Sequence, residues 1–214
     1  MYNEALLKEL TELENTVRFD SFDFNDAYAL GSALRAAGEK APKPIAVRIV
    51  LDGMILYQSF LPGTDATNNN WMDKKQRTVQ LTGTTSLRAA VERELYGAKA
   101  PWQHDEEHYA FCGGGFPLYV NGEFRGAAII SGLPHLKDHA LLCETVKAYW
   151  ESKKKKFLIG FLRPAGDTTM RCPSFLTASS RYAYSFGHKK ARPWIRCHEK
   201  RTSPHGGDAR KATY

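Results

Sequence analysis

Residues 116–131, Phe-Pro-Leu-Tyr-Val-Asn-Gly-Glu-Phe-Arg-Gly-Ala-Ala-Ile-Ile-Ser, decide the fold of this 214-residue chain. Two apolar segments flank Asn121-Gly122, a pair that favours a tight hairpin turn because both residues tolerate positive φ. The stretch therefore predicts one strand before the turn and one after it. Asp52-Gly53 gives the same signal between residues 45–51 and 54–61. Because both hairpins join antiparallel strands, the sequence predicts an antiparallel sheet.

Helical periodicity surrounds the two hairpins. Leu6, Leu10 and Leu13 follow steps of four and three, as do Leu142, Val146 and Tyr149 further along the chain. Strands and helices do not alternate one by one, which excludes a doubly wound nucleotide-binding fold. The order predicts an α+β protein with helices over both faces of one sheet.

Charge divides the chain into two parts. Residues 1–152 hold 15 Lys and Arg against 20 Asp and Glu, a net charge of −5. Residues 153–214 hold 15 Lys and Arg against 3 Asp and Glu, a net charge of +12. We therefore expect a folded domain over 1–152 and an irregular, basic, disordered extension over 153–214. Nucleic-acid binding is expected only through that extension, as an alternative to a solvated basic segment.

Cysteines and hydropathy bear on location. Four cysteines are too few for a disulfide framework, and no run of 18 apolar residues predicts a membrane span. The N-terminal residues lack the basic and apolar regions of a signal peptide. These features predict a cytoplasmic protein without a membrane partner.

Several short motifs carry a family resemblance. They comprise Phe22-Asp23, Asp26–Gly31, Leu61–Thr64, Asn68, Trp71, Lys74-Lys75, Thr78-Val79, Phe116-Pro117, Gly122, Gly126, Ser131–Pro134 and Asp138-His139. Over about residues 18–150 the chain resembles an uncharacterised family grouped with the haem-degrading-domain (HbpS/GlcG-like) proteins. The resemblance implies a profilin-like α/β/α sandwich and a homo-oligomer. Haem binding belongs to distant relatives whose ligand residues have no match here, so haem or another tetrapyrrole is a hypothesis for the cofactor.

Asp138 and His139 form one candidate site. At a helix N-terminus the dipole favours the Asp138 anion and a neutral His139, which could then act as a base or a ligand. The alternative is a helix cap followed by a structural histidine. No metal site is predicted, because His104 and His108 lack the zinc-protease motif and the C-terminal cysteines and histidines have no recognised spacing.

Asn68, Trp71, Lys74 and Lys75 form the second candidate, in which amides and cations hold an anion and the indole stacks on it. Its alternative is a capped helix with a solvated basic face. Phe116 joins the candidate ligand-binding residues through the family motif. The glycine run 113–115 lacks the Lys and Ser or Thr of a phosphate-binding loop, so a flexible loop or close packing is favoured.

Three functional hypotheses follow. The first is an oligomeric protein that binds a small anionic ligand or a protein partner, with no assigned catalysis. The second is an enzyme that uses Asp138 and His139. The third is an adaptor in protein handling or quality control. The sequence carries no catalytic triad or nucleotide motif, which favours the first hypothesis.

Overall fold

The computed structural model describes residues 2–161, with side chains through residue 155. Its helices are α1 (Glu4–Thr16), α2 (Phe24–Gly38), α3 (Ala66–Thr82), α4 (Ser86–Tyr96) and α5 (His135–Phe161), with one 3-10 turn at Pro101–His104. Its strands are β1 (Ala46–Leu51), β2 (Met54–Phe60), β3 (Gly115–Val120) and β4 (Glu123–Ser131).

The two predicted hairpins are confirmed and build one sheet. All neighbouring strands are antiparallel in the order β2-β1-β4-β3, so the hairpins join through β1 and β4. Asp52 and Asn121 both take positive φ, as the two hairpin turns require. The register places Ala46 opposite Ser131 and Leu51 opposite Gly126.

Helices cover both faces of the sheet. One face packs against α2 and α5 through a core that includes Leu30, Ile49 and Leu142. The other packs against α3 through a smaller core centred on Met72 and Val79. This arrangement confirms the predicted α+β class and the profilin-like α/β/α sandwich.

Gly126 fixes the spacing between the two hairpins. A Cβ at this position would lie 1.9 Å from the Val50 carbonyl oxygen, which is a backbone atom and cannot turn away. Only glycine therefore lets β4 approach β1 this closely. The glycine thus determines the geometry of the strand that leads to the Ser131–Pro134 corner.

A buried arginine ties α3 to the sheet. The Arg48 guanidinium donates hydrogen bonds to Gln58 on β2 and to Asn69 and Asp73 on α3. This network satisfies a cation that is almost wholly buried. It fixes the position of α3 and hence of the side chains further along that helix.

Helix α5 is longer than the sequence predicted. It extends to Phe161 and so passes the boundary expected after residue 152. The rest of the predicted extension lies outside the described residues. Within residues 2–161, no helix combines the length and apolar character that a bilayer crossing needs.

Candidate functional site

A buried ion pair joins α3 to α5. The Lys75 ammonium donates to Asp138 Oδ2 at 2.8 Å and to the Ile130 carbonyl oxygen at 2.9 Å. The backbone N–H of Leu133 donates to Asp138 Oδ1 at 3.0 Å. Lys75 is 2% exposed and Asp138 is 1% exposed. Two opposite charges are therefore held out of water, each with further hydrogen-bond partners.

The positions of both charges follow from local structure. Lys75 lies on the face of α3 that packs on the sheet, nearly three turns after the Asp65 cap that begins the helix. Asp138 lies in the first turn of α5, directly after the Leu133-Pro134 corner. Burial raises the pKa of the Asp138 carboxyl, and the Lys75 ammonium opposes that rise.

The glycine run packs against this ion pair. A Cβ at Gly114 would lie 2.5 Å from Lys75 Nζ, and the residue has a φ of +114°. A Cβ at Gly113 would lie 2.4 Å from the His135 carbonyl oxygen. The run therefore allows close packing, the interpretation that the sequence favoured together with a flexible loop.

An open cleft lies over the ion pair. This corner cleft is about 270 Å³ in volume and is lined by Trp71, Lys75, Cys112, Ser131, Leu133, His135 and Asp138. Trp71 stands at its edge with 43% of its surface exposed. The cleft thus combines a charged floor, an accessible indole and an accessible imidazole.

The second group of candidate residues divides between two roles. Lys74 donates to the Glu106 carbonyl oxygen at 2.9 Å, and its ammonium lies 5.4 Å from the centre of the Trp71 ring. It lines a neighbouring cleft of about 470 Å³, which shares Trp71 with the corner cleft. Asn68 completes the cap of α3 and donates to the Ser131 carbonyl oxygen at 3.1 Å. Asn68 therefore fastens α3 to the end of β4.

His139 and Phe116 lie away from the corner cleft. His139 lines a different groove, with Nε2 at 3.4 Å from the sulfur of Cys143, and burial lowers its pKa to about 4. Phe116 is buried in the core beneath α2 and α5. Asp138 is bonded to Lys75 rather than to His139, so the structure does not join the predicted Asp–His pair into one acid–base unit.

Four residues of the cleft were not predicted from the sequence: Cys112, Ser131, Leu133 and His135. Ser131 and Leu133 belong to the Ser131–Pro134 family motif, whereas the only sequence signal for Cys112 and His135 was adjacency to the glycine run and to that motif. Burial raises the pKa of the Cys112 thiol, which favours its neutral form. Among residues 2–155, no three His, Cys, Asp or Glu side chains form a group able to hold a metal ion.

Residues 22–147 match the family described as "Haem degrading protein HbpS-like". The chain belongs to the HbpS-like family. The matched range includes every residue of the corner cleft and excludes α1. This confirms the family resemblance carried by the sequence motifs.

Relatives of this HbpS-like chain include bacterial proteins named UPF0303. One from Streptomyces avermitilis is 32% identical over 146 residues, covering 67% of this chain and 90% of the relative. Another from Serratia proteamaculans is 36% identical over 149 residues, covering 65% of this chain and 89% of the relative. The similarity therefore spans nearly the whole length of these relatives.

Solved structures share the fold. The crystal structure of Ybr137w protein matches with a TM-score of 0.63 and 26% identity, covering 68% of this chain and 88% of that one. The structure titled PduOC:Heme Complex matches with a TM-score of 0.53 and 21% identity, covering 60% of this chain and 94% of that one. At 21% identity, the similarity to the PduOC:Heme Complex concerns the fold alone.

Proposed function

We propose that this HbpS-like protein binds a small, planar, anionic ligand in the corner cleft. The observation that carries the proposal is the buried Lys75–Asp138 pair at the floor of an open cleft. Buried ion pairs are often no more stabilising than an apolar replacement, so their stability value alone does not account for them. A charged group with a shifted pKa in a cleft, as Asp138 is here, is a candidate for a functional site.

The character of the ligand follows from the surroundings of Trp71. The exposed indole offers a flat face for stacking. Lys74 and Arg77 in the neighbouring cleft donate to the backbone oxygens of Glu106 and His108, which leaves their positive charge available to an anion. Glu107 also lines that cleft and reduces its positive potential. A planar molecule with an acidic substituent fits this combination.

The family description makes a tetrapyrrole the first ligand class to test. His135 offers a nitrogen of the type that holds haem iron, and Lys74 offers a cation for a propionate. Cys112 fits less well, because its raised pKa disfavours the thiolate that iron prefers. The corner cleft of about 270 Å³ lies just below the range of roughly 300–1,000 Å³ usual for ligand pockets, so it fits one edge of such a molecule.

Titration with haemin tests the proposal. We expect a saturable shift of the Soret band with the wild-type chain at micromolar haemin. Trp71→Ala removes the stacking face and should weaken binding about fivefold to 150-fold, the loss expected for an aromatic stacking contact of about 1–3 kcal/mol. Tyr28→Ala, which removes an exposed aromatic from α2, should leave binding unchanged. Equal affinities for the Trp71 and Tyr28 variants would reject the corner cleft as the binding site.

We also infer that the protein is a homo-oligomer that pairs through β2. This strand lies at the edge of the sheet, and Met54, Ile55 and Phe60 on it are exposed. Exposed apolar edge strands favour pairing with another chain. Light scattering on wild type and Ile55→Lys tests this inference, because the assembly formed by the variant should have a lower molar mass than that of wild type. An unchanged mass would exclude β2 as the contact.

A further inference from the structure

A groove separates α1 from α5 and shares no lining residue with the corner cleft. This α1–α5 groove has a volume of about 490 Å³. Its apolar lining includes Leu6, Leu13 and Cys143, and its acidic lining comprises Glu9, Glu12 and Glu144. None of these residues belongs to the corner cleft, and α1 precedes the range that matches the family.

Helix α1 is anchored to α4, which leaves the groove open beside it. Leu10 is buried against Leu87 and Val91 of α4. The carboxylate of Glu14 accepts hydrogen bonds from the Thr85 backbone N–H at 2.8 Å and from Arg88 at 2.9 Å. These contacts hold α1 in place without filling the groove. Its leucines on the groove side therefore remain partly exposed.

Two groups on the α5 side of the groove, His139 and Cys143, are uncharged at neutral pH. Burial lowers the pKa of His139 to about 4, so its imidazole is neutral. Burial also raises the pKa of the Cys143 thiol, which stays protonated. Together with the leucines of α1, these neutral groups form an apolar surface.

The rim of the groove is acidic. Glu9, Glu12 and Glu144 are exposed, against the single cation Lys147 among the lining residues. Lys8 approaches Glu12 only at 3.9 Å, in a pair that is largely solvated and therefore weak. Charge complementarity thus favours an occupant that carries basic groups.

The dimensions of the groove suit a helix. On α1 the lining runs from Leu6 to Thr16, a length of about 15 Å at 1.5 Å per residue. On α5 it runs from His139 to Lys147, about 12 Å. We propose that the α1–α5 groove docks a basic amphipathic helix of a partner protein, whose apolar face rests on the leucines and whose Lys or Arg residues meet the glutamates.

A fluorescein-labelled Leu/Lys helical model peptide is the probe, measured by fluorescence anisotropy with the full chain. Wild type should bind it saturably, and a matched Leu/Glu peptide should bind at least tenfold more weakly. Ala140→Trp fills the groove from an exposed position on α5 and should weaken binding at least tenfold. Ala36→Trp, at an exposed position on α2, should leave affinity unchanged.

Glu9→Gln combined with Glu12→Gln tests the acidic rim without adding bulk and should also weaken binding at least tenfold. Both positions are exposed, so this variant remains informative if Ala140→Trp lowers thermal stability. If the Leu/Lys peptide does not bind to wild type, the proposal is overturned. This result is expected if a second copy of the chain covers the groove. Equal affinity of the Ala140 and Ala36 variants, or of the two peptides, would do the same.

Discussion

Replacing Lys75 with methionine tests how much the protein is destabilised when Asp138 loses its buried cationic partner. The change shortens the side chain by one heavy atom and removes the ammonium. Asp138 then keeps the hydrogen bond from the Leu133 N–H but loses its only close cation among the described contacts. A buried carboxylate in that position must either remain charged at a cost or take up a proton.

The cost of protonation sets the size of the effect. The Asp138 carboxyl has an ordinary pKa of 3.8. Protonating it at pH 7 costs about 4 kcal/mol, at about 1.36 kcal/mol per pH unit. This agrees with the roughly 3–5 kcal/mol lost when one partner of a buried pair is removed. At pH 5 the same protonation costs only about 1.5 kcal/mol, so the deficit should shrink as the pH falls.

Urea unfolding at pH 7 and pH 5 measures both quantities. We expect Lys75→Met to lower the free energy of unfolding by about 3–4 kcal/mol at pH 7, and by less than half of that at pH 5. The double variant Lys75→Met with Asp138→Asn removes both charges but keeps an acceptor for Leu133, and it should recover most of the loss. Arg125→Met, which breaks an exposed pair with Asp52, should have no measurable effect.

A loss below about 1 kcal/mol at pH 7 would refute this reasoning, because it is the size expected of a solvated pair. An equal loss at the two pH values would refute it as well, since proton uptake by Asp138 would then play no part. Failure of the double variant to recover stability would show that the loss comes from packing rather than from charge.

Two further predictions concern His139 and Gly126. Burial lowers the pKa of His139 from 6.5 to about 4. The unfolded chain therefore binds a proton more readily than the folded one as the pH falls from 6.5 toward 4. Over that range the free energy of unfolding should drop by up to about 3 kcal/mol. Urea unfolding of His139→Gln should show a smaller stability loss between pH 7 and pH 4.5 than wild type; an identical loss would contradict the assignment. Gly126→Ala places a Cβ against the Val50 carbonyl and should lower the melting temperature, with a cost of about 1–3 kcal/mol or more. Gly122→Ala brings no atom within 4 Å of its new Cβ but retains the backbone cost of a φ of +82°, so it controls for steric clash alone and should cost less.

The fold was predictable because its main signals are local. Asp52-Gly53 and Asn121-Gly122 each specify a turn from two residues, and the strands on either side follow from that turn. The joining of the hairpins through β1 and β4 is not local. It depends on the close approach at Gly126, where a glycine within a strand predicts either close backbone contact or a bulge but does not identify the partner strand.

The site was less predictable, because adjacency in sequence is not adjacency in space. Successive residues on a helix point about 100° apart, which follows from 3.6 residues per turn. Lys74 is therefore partly exposed whereas Lys75 is buried, and Asp138 lines the corner cleft whereas His139 lines the groove beside α1. The partner of Asp138 lies 63 residues away, a pairing that no local pattern could indicate.

A haemin titration of two histidine variants tests the central claim most directly, because His135 and His139 lie one turn apart on α5 but line different cavities. Binding in the corner cleft predicts that His135→Ala weakens or abolishes the Soret shift, whereas His139→Ala retains wild-type affinity. Loss of binding in His139→Ala with retention in His135→Ala would contradict the account, as would the absence of any Soret shift with wild type.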